Sequence, residues 1–371
     1  MTTTDEQVLD DRERIAALDP GGMLDLVGGF GELLDEAVGI ARAADLPHIT
    51  PVRNVAVLGL GGSAIGGDLV TTLVGDQLEV PFKVIRGYEL PRFVDGSTLV
   101  IASSYSGNTE ETLAALRAAL ETPARIVCLT SGGEMEEIAS ERGLPSVKLK
   151  AGQPPRSALP FSFAALLRVL SAAQLLPEMM DALEASVDWI KHLSRIFGPD
   201  TQTPDNLAKK LALKIVNKLP GIYGSDDRLE FMARRWAAQF SENGKQLAYS
   251  KALPEMNHNE IVGWKHPSRV VGELIPVFLR DGGDHPRTQL RFEITRDLMA
   301  GTVDQVLEYW SMGESWMERF WSLVLLGDFA SVYLAVLNQE DPTQIDMIEA
   351  LKNRLSQHQE PSENDEPREK R

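Results

Sequence analysis

The sequence L-G-L-G-G-S-A-I-G-G-D at residues 58–68 connects a strand-like segment to a helix-like one. The segment before it, Asn54–Leu58, is short, apolar and rich in valine, as is typical of a buried parallel strand. The segment after it, Ala64–Val74, has the composition of a helix. Glycines at such a junction let a ligand approach the main chain, and they leave N–H groups of the first helical turn free to bind an anion. The order of these features predicts a βα unit with a ligand-binding loop.

Three interpretations of this loop compete. Residues 59–64, G-L-G-G-S-A, fit the dinucleotide pattern G-x-G-x-x-A. A smaller phosphorylated ligand would need the same bare backbone, and Ser63 would add a hydroxyl donor. A tight turn that binds nothing is the third interpretation. The motif alone does not separate them.

Composition places the chain among globular proteins and disfavours several partners. Of its 371 residues, 43% are hydrophobic and 25% are charged. No apolar run approaches the length of a membrane span, and the N-terminus lacks a signal-peptide pattern, so we expect a cytoplasmic protein that does not enter a membrane. The net charge of −17 disfavours nucleic acid and anionic membrane surfaces as partners. The single cysteine, Cys128, is interpreted as a small buried hydrophobe.

Residues 53–150 alternate strand-like and helix-like segments, which predicts an α/β fold with a doubly wound parallel sheet. The strand-like segments are Val55–Leu58, Phe82–Ile85, Thr98–Ala102, Ile126–Leu129 and Val147–Leu149. The alternation returns after residue 206, with strands predicted at Gly221–Gly224 and Ile275–Leu279. Helices are predicted at Phe161–Leu176, Leu207–Lys218, His285–Met299 and Ser315–Leu337. Two α/β units of similar size suggest a duplication, although no residue-level repeat is visible.

These patterns divide the chain into five segments. Residues 1–30 form a polar or helical N-terminal segment, and residues 31–180 form the first α/β domain. Residues 181–205, which contain Pro199 and Pro204, are expected to be a linker. Residues 206–355 form the second domain with its C-terminal helices. The tail, residues 356–371, is polar and is expected to be disordered.

A second loop, S-S-Y-S-G-N-T-E-E-T at residues 103–112, follows the strand Thr98–Ala102. Asn108 is expected to cap the next helix, and Glu111 could close a capping box. Capping does not explain the hydroxyl groups of Ser104, Ser106 and Thr109 at the same helix start. Loops that follow two strands of one parallel sheet open on the same edge, so these hydroxyl groups and Ser63 can converge on one phosphate monoester.

The end of the second strand argues against a dinucleotide. A dinucleotide site would have an acidic residue there to bind the ribose, but Arg86 and Gly87 occupy the position. Arg86 could instead accept a 2′-phosphate, so the cofactor interpretation stays open. The phosphate-ester interpretation is the preferred one.

The chain resembles a known family of sugar-phosphate enzymes. G-G-S-A-I-G-G-D and S-S-Y-S-G-N-T-E-E-T resemble the sugar-isomerase (SIS) domain. The stretches P-P-R-S-A-L-P (154–160), F-S-E-N-G-K (240–245), P-E-M-N-H-N-E (254–260) and D-P-T-Q-I-D-M-I-E-A-L-K (341–352) resemble the bifunctional phosphoglucose/phosphomannose isomerases. The resemblance spans about residues 30 to 355. It implies two tandem SIS domains, each a doubly wound, flavodoxin-like parallel sheet flanked by helices.

The resemblance also implies site residues and an activity. The family's substrate phosphate-binding residues correspond to Gly61, Gly62, Ser63, Ser104, Ser106 and Thr109. Its catalytic residues correspond to Arg156 at the active site, Glu242 as the base, His258 as the ring-opening group, and Lys352 near the C-terminus. The implied reaction is the metal-independent isomerisation of glucose 6-phosphate, mannose 6-phosphate or both to fructose 6-phosphate through a cis-enediol(ate). No cofactor is expected.

The chemistry asks for these residue types independently. Moving a proton between C1 and C2 needs a carboxylate base and positive charge near the developing oxyanion, and ring opening needs an acid–base group. Glu242 follows an apolar helical stripe, so it should lie near the C-terminal end of a helix. An imidazole such as that of His258 titrates near neutrality. The histidines lack the H-x-x-H spacing of a metal site, so no metal is expected.

The resemblance finally implies a homodimer in which His258 enters the neighbouring subunit's site. Four apolar residues, Trp310, Trp316, Phe320 and Trp321, suggest a surface for such an interface. Two alternatives from other classes remain. The chain could be a non-catalytic SIS protein that senses sugar phosphates, or a dinucleotide-dependent oxidoreductase.

Overall fold

The first parallel sheet is built from the five strands that the sequence predicts. A computed structural model describes residues 5–357. The strands are β1 (Asn54–Leu58), β2 (Phe82–Ile85), β3 (Thr98–Ser103), β4 (Arg125–Thr130) and β5 (Ser146–Lys148). Their order across the sheet is β2-β1-β3-β4-β5, and all neighbours are parallel. This is the order of a flavodoxin-like, doubly wound sheet, with a switch point between β1 and β3.

A second parallel sheet repeats most of that order. It contains β6 (Leu219–Ser225), β7 (Tyr249–Leu253), β8 (Leu274–Arg280) and β9 (Leu307–Trp310). The order is β7-β6-β8-β9, so β6 and β8 take the central places that β1 and β3 have in the first sheet. The strands predicted at Gly221–Gly224 and Ile275–Leu279 are confirmed as β6 and β8. The edge strands β7 and β9 were not predicted.

Sixteen α-helices surround the sheets within the described residues. Before and around the first sheet lie α1 (Asp5–Leu9), α2 (Arg12–Leu18), α3 (Met23–Gly28), α4 (Phe30–Ala43), α5 (Gly61–Val74), α6 (Glu110–Leu120), α7 (Gly133–Arg142) and α8 (Leu159–Ala172). The later helices are α9 (Met180–Ala185), α10 (Val187–Phe197), α11 (Leu207–Ile215), α12 (Glu230–Glu242), α13 (Ser268–Val271), α14 (Pro286–Met299), α15 (Trp316–Asn338) and α16 (Asp346–Leu355). The helix predicted at Ala64–Val74 thus begins three residues earlier, inside the glycine-rich loop.

The segment expected to be a linker is mostly helical. Most of residues 181–205 belong to α9, α10 and a short 3-10 helix at Thr203–Asp205. Helix α10 buries Ile190, Leu193 and Phe197, and it packs against α4 and α15. Pro199 follows the end of α10, and Pro204 lies inside the 3-10 helix. The prolines thus belong to a helical segment that buries too much apolar surface for a free linker. Of the tail expected to be disordered, residues 358–371 lie outside the described part of the chain.

One hydrophobic core joins the two sheets. Phe163 on α8 packs edge-on against Trp321 on α15, with ring centroids 5.1 Å apart, and stacks on Phe320 at 5.5 Å. Helix α12, between β6 and β7, lies against α5, between β1 and β2. Helices from the two halves therefore pack against each other in one core. This packing places α5 beside α12.

Helix α15 has the length and mean hydropathy (1.8) of a membrane span, yet 94% of its most apolar window is buried inside the chain. It is thus a core helix of this fold. The same burial corrects the suggested apolar interface, because Phe320 and Trp321 are fully buried within their own chain. Trp310 is half exposed and lies under the guanidinium of Arg280, 4.5 Å from its ring centroid.

Candidate functional site

The two ligand-binding loops predicted from the sequence contact each other. Gly61 begins α5, so Ser63 lies in its first turn. The Ser63 hydroxyl oxygen accepts a hydrogen bond from the backbone N–H of Tyr105, at 3.2 Å. In the second loop, the hydroxyl oxygens of Ser104 and Thr109 lie 2.9 Å apart and share a hydrogen bond. Three of the residues predicted to bind phosphate, Ser63, Ser104 and Thr109, therefore lie together at the switch point of the first sheet.

The prediction for Asn108 and Glu111 is wrong. Helix α6 begins at Glu110, its N-cap residue is Thr109, and no side chain caps it. The Asn108 side-chain oxygen instead accepts a hydrogen bond from the backbone N–H of Glu134, at 3.0 Å, in the first turn of α7. Asn108 thus serves the neighbouring helix, because the loops after β3 and β4 are adjacent. The exposed Ser106 accepts a hydrogen bond from the Asn108 backbone N–H at 3.3 Å.

Gly62 connects this phosphate-loop region to the loop that carries Arg156. A Cβ atom added at Gly62 would lie 2.7 Å from the carbonyl oxygen of Pro155 and 3.7 Å from the Cα of Arg156. No side chain fits there without moving the Pro155 backbone. Residue 62 must therefore be glycine for the two loops to approach so closely.

Arg156 is buried, with 4% of its surface exposed, and its guanidinium contacts groups from two distant parts of the chain. Its Nε donates to the Asn243 side-chain oxygen at 2.6 Å, and its Nη1 lies 3.1 Å from a Glu242 carboxylate oxygen. Its Nη2 donates to the carbonyl oxygens of Pro342 at 2.7 Å and Thr343 at 3.0 Å. Burial lowers the pKa of the Arg156 guanidinium, and the negative charge of Glu242 opposes that shift. The residue is not a surface arginine.

Glu242 is the last residue of α12, where the sequence pattern predicted it to lie. Its side chain is about one-third exposed, with 32% of the side-chain surface accessible, so its carboxylate can reach both Arg156 and a ligand. The base candidate comes from a helix of the second sheet, whereas the loops predicted to bind phosphate come from the first sheet. The site therefore spans both halves of the chain.

A buried carboxylate links the two helices that carry the site. Asp68 on α5 forms an ion pair with Arg86, which follows β2. A second ion pair joins the Asp68 carboxylate to the guanidinium of Arg234 on α12, at 3.6 Å. Burial raises the pKa of Asp68, and the two arginines oppose the rise. Arg86, the residue that kept the 2′-phosphate interpretation open, is thus paired with the carboxylate of Asp68.

Sequence reasoning missed two residues that shape the site, Asn243 and Lys245. Asn243 is fully buried between Arg156 and the hydroxyl group of Ser331, to which its amide nitrogen donates at 2.9 Å. The Lys245 ammonium donates to the Glu242 carbonyl oxygen at 2.6 Å. Both residues belong to the motif F-S-E-N-G-K at residues 240–245, which the sequence analysis identified without giving either residue a role.

Within residues 5–357, no hydrogen bond or ion pair joins His258 to Arg156 or Glu242. It ends a 3-10 helix that follows β7, and it is exposed. Its neighbours are held in place: the Asn257 amide donates to the Thr295 hydroxyl at 2.8 Å, and the Asn259 amide donates to a Glu255 carboxylate at 2.8 Å. The histidine is therefore presented outward from an ordered support.

In the described part of the chain, Lys352 likewise forms no hydrogen bond or ion pair with Arg156 or Glu242. It lies on α16, in which no residue is buried, and it is exposed with its neighbours. The helix begins shortly after Pro342 and Thr343, whose carbonyl groups Arg156 holds. Its start is therefore anchored near the site.

No group of three histidine, cysteine, aspartate or glutamate side chains within residues 5–357 is arranged to hold a metal ion.

Comparisons with known proteins agree with the SIS resemblance. Residues 204–355 match the bacterial phospho-glucose isomerase C-terminal SIS domain family. A bifunctional phosphoglucose/phosphomannose isomerase of Caldicellulosiruptor bescii is 44% identical over 306 residues, which cover 82% of this chain and 90% of that protein. A D-glucosamine-6-phosphate 4-epimerase of Sulfolobus acidocaldarius is 32% identical over 244 residues, covering 64% of this chain and 72% of that protein.

A solved structure supports the fold. A hypothetical protein from Thermus thermophilus superposes with a TM-score of 0.69 at 17% identity, covering 95% of this chain and 94% of that one. The sequence motifs and the two parallel sheets indicate the same family as the relative that is 44% identical over most of the chain. The chain belongs to the family of bifunctional phosphoglucose/phosphomannose isomerases.

Proposed function

We propose that this protein interconverts hexose 6-phosphates, converting glucose 6-phosphate and mannose 6-phosphate to fructose 6-phosphate and back. The observation that carries the proposal is the 3.1 Å contact between Arg156 and Glu242, directly beside the loop of Gly62 and Ser63. A carboxylate, a guanidinium and a phosphate-type loop are the groups that an enediolate mechanism needs in one place. A sensor of sugar phosphates would need only the loop.

Each group then has one task. The hydroxyl groups of Ser63, Ser104, Ser106 and Thr109 and the free N–H groups at the starts of α5 and α6 bind the 6-phosphate. Glu242 removes the proton from C2 of the open aldose; the C2–H electron pair forms the C1=C2 double bond, and the carbonyl electron pair moves onto O1. Glu242 then returns the proton to C1 while the O2 proton passes to O1, which leaves the carbonyl group at C2. Arg156 stabilises the resulting enediolate, because its charge is already held in place before the reaction. Lys352 is assigned a supporting charge by the family resemblance alone.

Ring opening needs a group that protonates the ring oxygen and takes the anomeric proton, and we assign it to His258. Since His258 points outward from its own chain, it would act in the site of a second subunit. An exposed apolar stripe supports this arrangement: Leu290, Ile294 and Leu298 on α14 are 40%, 49% and 64% exposed. The stripe adjoins His258, because Asn257 is hydrogen-bonded to α14. We therefore propose a homodimer with shared sites, located in the cytoplasm.

The test is a set of coupled assays. Fructose, glucose and mannose 6-phosphates are supplied in turn, with and without EDTA, and the product is detected enzymatically. We expect isomerisation in both conditions. Activity that EDTA abolishes and zinc restores would contradict a metal-independent mechanism. D-glucosamine 6-phosphate belongs in the same series, because one relative is named for its 4-epimerisation. Turnover of that compound alone would replace the isomerase proposal with an epimerase.

A further inference from the structure

The C-terminal end of α12 has an unusual support. A helix leaves its last carbonyl groups without partners inside the helix, so other groups must satisfy them. Here the Nζ of Lys245 donates to the carbonyl oxygen of Glu242 at 2.6 Å. The same ammonium lies 3.4 Å from the carbonyl oxygen of Asn243 and 3.3 Å from that of Pro342. One side chain thus holds the backbone of the base candidate.

The bond to Pro342 gives that support a second role. Arg156 donates to the carbonyl oxygens of Pro342 and Thr343, so the loop between α15 and α16 accepts bonds from both cations. Both cations also contact Glu242, Arg156 at the carboxylate and Lys245 at the backbone carbonyl. Through Arg156 and Lys245, the end of α12 and this loop are therefore joined by hydrogen bonds from two cations.

The backbone at Lys245 supports a role for its side chain. Its φ angle is +54°, in the left-handed region where residues other than glycine are uncommon. Glycine would adopt this conformation freely, and helices often end with glycine for that reason. Strained positions of this kind cluster at functional sites. Next to it, a Cβ added at Gly244 would lie 2.6 Å from the Phe240 carbonyl oxygen and 2.8 Å from Leu334, so the turn is tightly packed.

The electrostatics are consistent with a structural cation. Burial lowers the pKa of the Lys245 ammonium, and the positive charge of Arg156 adds to that shift. The negative charges of Asp341 and Glu242 oppose it. A charged ammonium that donates to three carbonyl groups forms stronger hydrogen bonds than a neutral donor would.

We propose that Lys245 is a positioning residue for the isomerisation: its ammonium clamps the end of α12 to the Pro342 loop and thereby sets the position of Glu242 relative to Arg156. The inference rests on the proposed function, since it assumes that Glu242 is the base. It differs from the family's assignment of a lysine, which falls on the exposed Lys352.

The test compares three substitutions of Lys245 in the full chain. Lys245→Met removes both charge and donor, and it should lower kcat about 10- to 100-fold while KM changes little, because a misplaced base costs rate and the phosphate contacts remain. Lys245→Arg, which keeps charge and donors, should recover most of this loss. Lys245→Gln keeps a donor without the charge, and it should recover less. Lys210→Met is the control, since the Lys210 ammonium donates to a single carbonyl oxygen, that of Pro204, away from the site.

The split between kcat and KM, together with the rescue by Lys245→Arg, separates positioning from a merely structural role. A loss of folded protein would lower the amount of active enzyme without this pattern, so thermal stability is measured for each variant. If Lys245→Met reduces thermal stability while kcat stays unchanged, the inference is overturned. A kcat that is unchanged in Lys245→Met but lost in Glu242→Gln overturns it without touching the proposed function. If Glu242→Gln itself retains full kcat, the proposed function fails first.

Discussion

The guanidinium of Arg156 lies 3.1 Å from the carboxylate of Glu242, although 86 residues separate them in the chain. Arg156 belongs to the loop after the first sheet, and Glu242 ends a helix of the second sheet. Their contact exists only because both halves share one core. Chemistry that needs both groups therefore depends on how the two sheets pack.

The first prediction concerns the base. Glu242→Gln should lower kcat by on the order of 10³ while KM stays similar, because the amide cannot accept the substrate proton and the phosphate contacts are intact. Glu230→Gln is the control: Glu230 lies on the same helix with 33% of its side chain exposed, and it pairs with Arg234. Steady-state kinetics with fructose 6-phosphate measure both variants. Equal losses in both would mean that the helix, rather than the carboxylate at its end, is responsible.

The second prediction concerns the phosphate loop. Ser104→Ala and Ser106→Ala should each raise KM with a smaller effect on kcat, since the proposed function places these hydroxyl groups on the 6-phosphate, a part of the substrate that does not react. Ser97→Ala serves as the control, because Ser97 precedes the same strand at the opposite edge of the sheet. A fall in kcat at constant KM would reassign these serines to the chemical step.

The first sheet and its ligand edge could be predicted because its central strands are buried on both sides. Residues of β1 and β3 are almost all buried, which produces short apolar runs in the sequence. The edge strands β7 and β9 are mostly half exposed and contain Lys251 and Glu308, so they resemble loops. The prolines near residue 200 suggested a linker, whereas the apolar stripe of Ile190, Leu193 and Phe197 correctly indicates a packed helix.

The site could be predicted only in part. The hydroxyl groups of the two loops follow strands, so topology alone brings them together. The partners of Arg156 lie 87 and 186 residues away, in Asn243 and Pro342, and no local pattern encodes such contacts. The environment of Lys245 depends on the same long-range packing.

The third prediction concerns stability and pH. Asp284 is buried; its carboxylate accepts hydrogen bonds from the Ser225 hydroxyl at 2.6 Å and the Asp281 backbone N–H at 3.1 Å. Burial raises its pKa from the ordinary 3.8 to about 6, despite these bonds. Between those two values the folded chain binds more protons than the unfolded chain, so this group's contribution to stability falls as pH rises from 3.8 to 6.

Asp284→Asn removes that titration and keeps groups that can pair with Ser225 and Asp281. The variant's free energy of unfolding, relative to the natural chain, should therefore rise between pH 4 and pH 6 by up to about 3 kcal/mol and then level off. Urea unfolding at several pH values measures it. Asp281→Asn is the contrasting variant. Burial alone would raise the pKa of Asp281, but the Ser311 hydroxyl and the Arg319 guanidinium lower it below the ordinary 3.8. The ionised carboxylate therefore stabilises the fold above pH 3.8, and the loss of stability in Asp281→Asn should be largest there. A difference for Asp284→Asn that does not vary with pH would contradict the argument.

The last prediction tests the shared site. In a two-fold dimer, each site would combine Glu242 of one chain with His258 of the other. Glu242→Gln and His258→Ala chains should each be inactive alone. In a mixed dimer, one site receives both defects and the other receives neither. Random exchange makes about half of the dimers mixed, so roughly a quarter of the natural activity should return. If both residues served one site within a single chain, every site would keep one defect. Activity that stays near zero after mass spectrometry has confirmed subunit exchange would therefore refute the shared site, and recovery near a quarter would place the outward-facing His258 in the partner's site.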